Sequence, residues 1–133
     1  MTITLNALGQ VLQLVDDVDA GERFYGETLG LRKLYRYGDL CFFDCAGVRL
    51  LVEKSNAQPF TPGSTVLYFR VADIALAYAE LKKKGVEFSD APHLVAQMPD
   101  HDLWMAFFFD AAGNTLALMC EAPKNYKFQV ENS

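Results

Sequence analysis

The sequence predicts an α+β fold made of two copies of one βαβββ unit. The first observation is a repeat. Val15-Asp16-Asp17-Val18 leads into a helical stretch that stops at Leu29-Gly30, and Val71-Ala72-Asp73-Ile74 leads into another that stops at Lys84-Gly85. Asp17 to Gly30 spans 13 positions, and Asp73 to Gly85 spans 12. The second observation is that Asp-x-x-Gly follows in each half, as Asp44-Cys45-Ala46-Gly47 and Asp110-Ala111-Ala112-Gly113. The third is that strand-like segments outnumber helical ones in both halves. Repeated units of this kind bury surface against each other, and ligand sites form where such units meet.

Each element has its own local reason. Residues 9–15 read as a largely buried strand, with Gln10 and Gln13 interrupting its alternation. Asp17 is a helix N-cap, because its carboxylate can accept from unpaired backbone N–H groups. The helix carries a stripe of Val18, Gly21, Phe24, Tyr25 and Leu29 at three- and four-residue spacing, and Gly30 ends it. Strands are expected at 31–37, 39–45 and 47–54, with turns at Gly38-Asp39 and Ala46-Gly47. Cys41, Phe43 and Cys45 then share one face, with Leu40, Phe42 and Asp44 on the other. Residues 8–55 form the first module and 56–63 a linker rich in turn formers. The second module, 64–121, starts with a strand over 64–71. Asp73 then caps a helix over 74–84, with Ile74, Ala77, Tyr78 and Leu81 as its buried stripe. A short strand near 86–89, a loop about Pro92, a strand from Leu103 to Asp110 and one over 114–121 follow. Asp17 to Asp44 spans 27 positions and Asp73 to Asp110 spans 37, so the second module holds ten more residues, expected near 94–103. Residues 122–133 read as a polar tail that frays or packs on a partner chain.

Composition narrows the function classes. The chain of 133 residues is one domain of two small modules, 51% apolar, with ten Phe and six Tyr for an aromatic core or an aromatic-lined cavity. A net charge of −5 argues against nucleic acid and anionic membrane as partners. The basic run Lys82-Lys83-Lys84 sits where a helix ends and suits the helix dipole. Cys41, Cys45 and Cys120 lack metal-ligand spacing and read as cytoplasmic thiols. No signal peptide is readable at the N-terminus, and no uncharged apolar run is long enough to span a bilayer.

Several of these segments carry a family resemblance: Val15-x-Asp17, Phe24-Tyr25-x-x-x-Leu29-Gly30-Leu31, Val71-x-Asp73, Lys84-Gly85-Val86 and Asp110-x-x-Gly113-Asn114. Over roughly residues 8–121 the chain resembles the vicinal oxygen chelate superfamily of glyoxalases, bleomycin-resistance proteins and extradiol dioxygenases. The resemblance implies a curved eight-stranded mixed sheet enclosing a cavity, in a protein that is often a homodimer. In metal-using relatives one ligand lies seven residues before the Asp of each Val-x-Asp, and another four residues after the Gly of the later turn. Those positions here are Gln10, Leu51, Val66 and Ala117. Three are hydrocarbon and one is an amide, so no metal and no other cofactor is expected.

If those positions face the cavity, period-two neighbours face it too. Gln10, Arg49, Leu51, Glu53, Val66, Tyr68, Arg70 and Ala117 are then candidates for ligand contact. Each has a plainer reading beside it: Arg49 can pair with Glu53 or Arg70 can pair with Glu53, Tyr68 can be core, and Gln10 can bond backbone. The two histidines, His93 and His101, fall in the longer part of the second module. His93 is the better acid–base candidate, with Glu53 and Tyr68 as further catalytic candidates. His101 lies between Asp100 and Asp102 and reads as a solvated loop residue or a ligand contact. Trp104 either caps the cavity or locks a loop to the sheet.

Three functions are consistent with this pattern. The leading one is a metal-independent small-molecule-binding protein. The second is a metal-independent lyase or isomerase using general acid–base catalysis, and the third is a structural or regulatory domain with a vestigial cavity.

Overall fold

The protein is described by a computed structural model, which covers residues 2–128. The chain divides after Pro62 into two units, each with a four-stranded mixed sheet and one helical segment. The element order in both is βαβββ. In the first unit β1 (Gln10–Val15), α1 (Val18–Arg23), β2 (Arg32–Tyr37), β3 (Leu40–Cys45) and β4 (Val48–Lys54) form a sheet of order β1-β4-β3-β2. In the second, β5 (Leu67–Arg70), α2 (Ile74–Lys83), β6 (His93–Gln97), β7 (Asp102–Phe109) and β8 (Thr115–Ala122) form the order β5-β8-β7-β6. The first and last strands of each unit pair in parallel, and the remaining neighbours are antiparallel.

Both helices begin as the sequence predicts. Asp17 Oδ1 accepts from Ala20 N at 3.1 Å, and Asp73 Oδ1 accepts from Leu76 N at 3.1 Å. Each cap satisfies a donor that the first helical turn leaves unpaired. The first helix ends differently from expectation. After Arg23 the backbone widens into a π-helical turn over Phe24–Thr28, and Leu29 N bonds Phe24 O at 2.9 Å. Packing accounts for the wide turn. Tyr25 is fully buried against Phe24 and Phe43, and a Cβ on Gly26 would stand 3.3 Å from the Phe43 ring. One turn earlier the helix lies so close to β4 that a Cβ on Gly21 would meet Val52 Cγ1 at 3.0 Å.

The Asp-x-x-Gly repeats are turns. Asp110 Oδ1 accepts from Ala112 N at 2.9 Å and Asn114 N at 2.8 Å, while Oδ2 accepts from Asn114 Nδ2 at 2.9 Å. Gly113 takes φ +90°, the left-handed region where a side chain is strained. Asn114 Oδ1 in turn accepts from Gly63 N at 3.3 Å and so anchors the start of the second unit.

Three boundaries correct the sequence reading. The strand expected over 64–71 is shorter, Leu67–Arg70, because its partner strand begins at Thr115 and leaves no ladder for residues further upstream. The extra length of the second unit is not confined to 94–103. One residue separates Gly30 from β2, whereas residues 86–92 intervene between Gly85 and β6 and place Phe88 in a bridge to Phe108. The tail does not start at 122: β8 runs to Ala122, and Tyr126 and Phe128 then pack on Trp104. The rest of the predicted tail, 129–133, lies outside the described residues.

Candidate functional site

In each unit the helix covers one face of the sheet, and strand alternation puts every second residue on the other. Gly21 and Tyr25 of the helical segment meet Val15, Val52 and Phe43, so Val11, Gln13, Leu50 and Cys41 belong to the covered face of the first unit. The helix-free face then follows from the register. One cross-sheet row is Gln10, Arg49, Asp44 and Arg32, the next is Leu12, Leu51, Phe42 and Tyr35, and the third is Leu14, Glu53, Leu40 and Tyr37. The middle row is apolar and aromatic. Tyr35 stacks on Phe42 with centroids 4.6 Å apart, and the Arg49 guanidinium stands over the same ring at 5.8 Å. Asp44 pairs with Arg32 at 3.6 Å rather than with Arg49. Among the described residues Arg49 and Glu53 form no ion pair, with each other or with Arg70.

The second unit repeats this plan. Tyr78, Phe88 and Phe108 pack on the helix side together with Cys120, whose thiol donates to Ala72 O at 3.5 Å. The opposite face presents Tyr68, Ala117 and Phe107 in one row and Arg70, Met119, Met105 and His93 in the next. Tyr68 meets Phe107 edge-on at 6.1 Å, and the His93 ring lies nearly parallel to Phe107 at 6.3 Å. His93 opens β6, instead of belonging to a loop as the sequence suggested. Its Nδ1 faces Asp90 Oδ2 at 3.0 Å and Ala91 O at 3.3 Å. Asp90 is itself held: Oδ1 accepts from Phe107 N at 3.3 Å and from Ser89 Oγ at 3.4 Å.

The structure therefore gathers Gln10, Arg49, Leu51 and Glu53 on one helix-free face, and Tyr68, Arg70, His93 and Ala117 on the other. Val66 lies one residue before β5. Two candidates stand elsewhere. Trp104 is on the helix side, locked against Tyr126 at 5.5 Å and Phe128 at 6.2 Å. His101 occupies the β6–β7 hairpin, where Asp100 Oδ1 sits 2.8 Å from its Nδ1 and that contact holds the Asp100 carboxyl below its ordinary range. Sequence reasoning missed Asp90, Phe107, Phe42 and Tyr35 as site residues. Asp90 was readable as the residue three before His93; the aromatic ones required the strand register.

The resemblance implies Gln10, Leu51, Val66 and Ala117 as the ligand positions. Leu51, Val66 and Ala117 offer no donor atom, and Ala117 is fully buried between Tyr68 and Phe107. Among the described residues, no three His, Cys, Asp or Glu side chains stand close enough to hold a metal ion.

The repeat, its two Asp-linked turns and the paired βαβββ sheets point to one lineage, and the family model described as Glyoxalase/Bleomycin resistance protein/Dioxygenase superfamily matches residues 7–118. The chain belongs to that superfamily. Several solved structures share the fold. A glyoxalase/bleomycin resistance protein/dioxygenase from Alicyclobacillus acidocaldarius is 19% identical with a TM-score of 0.70, covering 91% of this chain and 97% of that one. An integron cassette protein from V. cholerae reaches a TM-score of 0.75 at 16% identity, covering 92% of this chain and all of its own. A lactoylglutathione lyase from Agrobacterium tumefaciens is 22% identical with a TM-score of 0.67, covering 86% of this chain and 92% of that one. No curated protein matches the chain. Identities this low establish the superfamily fold and leave the chemistry to the residues themselves.

Proposed function

We propose that the chain is a metal-independent small-molecule-binding protein of the superfamily. Its ligand has an apolar or aromatic body and an anionic group. One observation carries this reading: on the helix-free face of the first unit the Arg49 guanidinium, without a carboxylate partner among the described residues, stands over the Phe42 ring, and Arg70 holds a strand position on the helix-free face of the second. Arg49 lies over Phe42 beside Leu51 and Tyr35, and Arg70 lies beside Tyr68 and the Met119–Met105 row. An apolar surface with a few oriented polar groups is how small-molecule sites are built. Arginine adds a planar fork that matches a carboxylate or phosphate. The overall charge of −5 describes the whole chain; a ligand responds to the groups it meets. Metal independence rests on the donor chemistry of Gln10, Leu51, Val66 and Ala117.

The protein is further proposed to act as a homodimer, with a second copy covering Ile3, Leu5 and Leu8, which are 85%, 96% and 71% exposed. Native mass spectrometry of the purified protein, read with elemental analysis, tests the ligand and metal claims together. A small anion retained by the chain without stoichiometric metal supports them. One divalent ion per chain overturns metal independence.

A further inference from the structure

We propose that residues 123–128 form a latch that opens and closes as one unit on the helix side of the second sheet, with Lys124 as the bolt tying it to the β6–β7 hairpin.

The latch begins after Ala122, the last residue of β8 that pairs with β7. Beyond it, Tyr126 N donates to Pro123 O at 2.9 Å. Among the described residues no backbone hydrogen bond joins this segment to the sheet or to α2. Side chains hold it instead. At the near end, Lys124 Nζ donates to Met98 O at 2.7 Å and stands 3.0 Å from Asp102 Oδ1. At the far end, Tyr126 meets Trp104 edge-on at 5.5 Å. Phe128 meets Trp104 at 6.2 Å and Tyr78 at 6.0 Å.

The closed arrangement is a balance. Packing the Trp104, Tyr126 and Phe128 rings together removes apolar surface from water and favours closure. Closure also leaves two buried donors unsatisfied. Trp104 Nε1 has no hydrogen-bond partner among the described residues, and Tyr126 Oη lies near the Ala75 backbone at the start of α2 without closing a hydrogen bond. A buried donor without a partner has lost the bonds that water would give it, and opening returns them. A segment held by side chains alone, with that penalty, belongs to the least stable part of a fold. The ion pair tips the balance. Asp102 is buried, Lys124 is half-exposed, and a buried carboxylate that loses its cation is costly.

The bolt also links two distant places. Met98 N bonds His101 O at 2.8 Å across the hairpin, and Gln97 pairs with Asp102 at its base. Lys124 holds the carbonyl of that same Met98 and the carboxylate of that same Asp102. If the latch moves as a unit, a change at Phe128 is felt at Met98, although the ring contacts of Phe128 are with Trp104 and Tyr78.

That coupling is the test. Amide hydrogen exchange is measured on the full chain, together with acrylamide quenching of Trp104, its single tryptophan. Lys124→Met is expected to speed Met98 exchange by about tenfold, the scale of one charge-assisted hydrogen bond, and to raise the quenching constant about twofold. Lys124→Arg keeps the charge and retains most of the protection. Phe128→Ala accelerates Met98 as Lys124→Met does. The amide of Leu118, buried in β8, keeps its rate in all three variants, which separates opening of the latch from unfolding. Unchanged Met98 exchange in Phe128→Ala overturns the latch as a unit. Unchanged exchange and quenching in Lys124→Met overturn the bolt. Acceleration of Leu118 to the same extent as Met98 overturns both, because the segment then opens only by unfolding.

Discussion

Single residues in this protein are set by what their polar atoms can reach. Gln13 is buried in β1, and its Nε2 donates to Tyr25 Oη at 3.2 Å. Removing that hydroxyl leaves a buried amide short of a partner. Tyr25→Phe is therefore expected to lower the unfolding free energy by about 1–2 kcal/mol, with the denaturant midpoint falling and the slope unchanged. Gln10, by contrast, is exposed on the helix-free face at the end of the row holding Arg49. The two glutamines look alike in sequence, and strand parity separates them. Asp110 shows the same logic more strongly. It accepts from Ala112 N, Asn114 N and Asn114 Nδ2, so Asp110→Ala strips three donors at once and should cost about 2–3 kcal/mol in a urea titration.

At the scale of elements, the helix starts were legible because an N-cap is a local device. Asp17 and Asp73 need only the backbone that follows them. Asp73→Ala should reduce stability by about 1 kcal/mol, measured in the same way, and Asp73→Ser should restore most of it. The first helix's end was less legible. Its wide last turn answers to the Tyr25 and Phe43 rings, which are far apart in sequence. Strand centres were readable by alternation, whereas the start of β5 and the placement of residues 86–92 depend on β8 and β7. The candidate site divides along the same line. Tyr68 and Arg70 were nominated by spacing and His93 by its place in the longer part of the second module; Asp90 lies three residues before His93, but Phe107 joins them only through the β6–β7 and β7–β8 pairings. Trp104 shows the converse. Its side of β7 follows from register, and the Tyr126–Phe128 segment covers it.

Across the whole molecule, buried thiols tie stability to pH. Burial pushes the Cys41, Cys45 and Cys120 thiols up from the usual 9.0. The folded chain then holds these protons more tightly than the unfolded one. Stability from this source is fully present below pH 9.0 and is lost as pH rises through the higher folded values. Thermal melts between neutral pH and pH 10 should fall above about pH 9, and less steeply in Cys120→Ala; a flat profile would remove the thiols from the account. For the proposed homodimer, light scattering at micromolar concentration is expected to give twice the chain mass, and Leu5→Asp to give the monomer. No helix among the described residues is long and apolar enough to cross a membrane.

The sequence by itself determined the βαβββ repeat, the helix caps, the Asp-x-x-Gly turns and the hydrocarbon side chains Leu51, Val66 and Ala117 at three of the four ligand positions that the resemblance implies. All of these depend on residues near one another in the chain, or on side-chain chemistry alone. Only the tertiary structure decided which side chains share a helix-free face, that Arg49 and Arg70 stand without carboxylate partners among the described residues, and that Asp90 backs His93 beside Phe107. Those facts depend on strand register. Register is set by hydrogen bonds and packing between strands distant in sequence, and a slip of one residue would send every side chain to the other face.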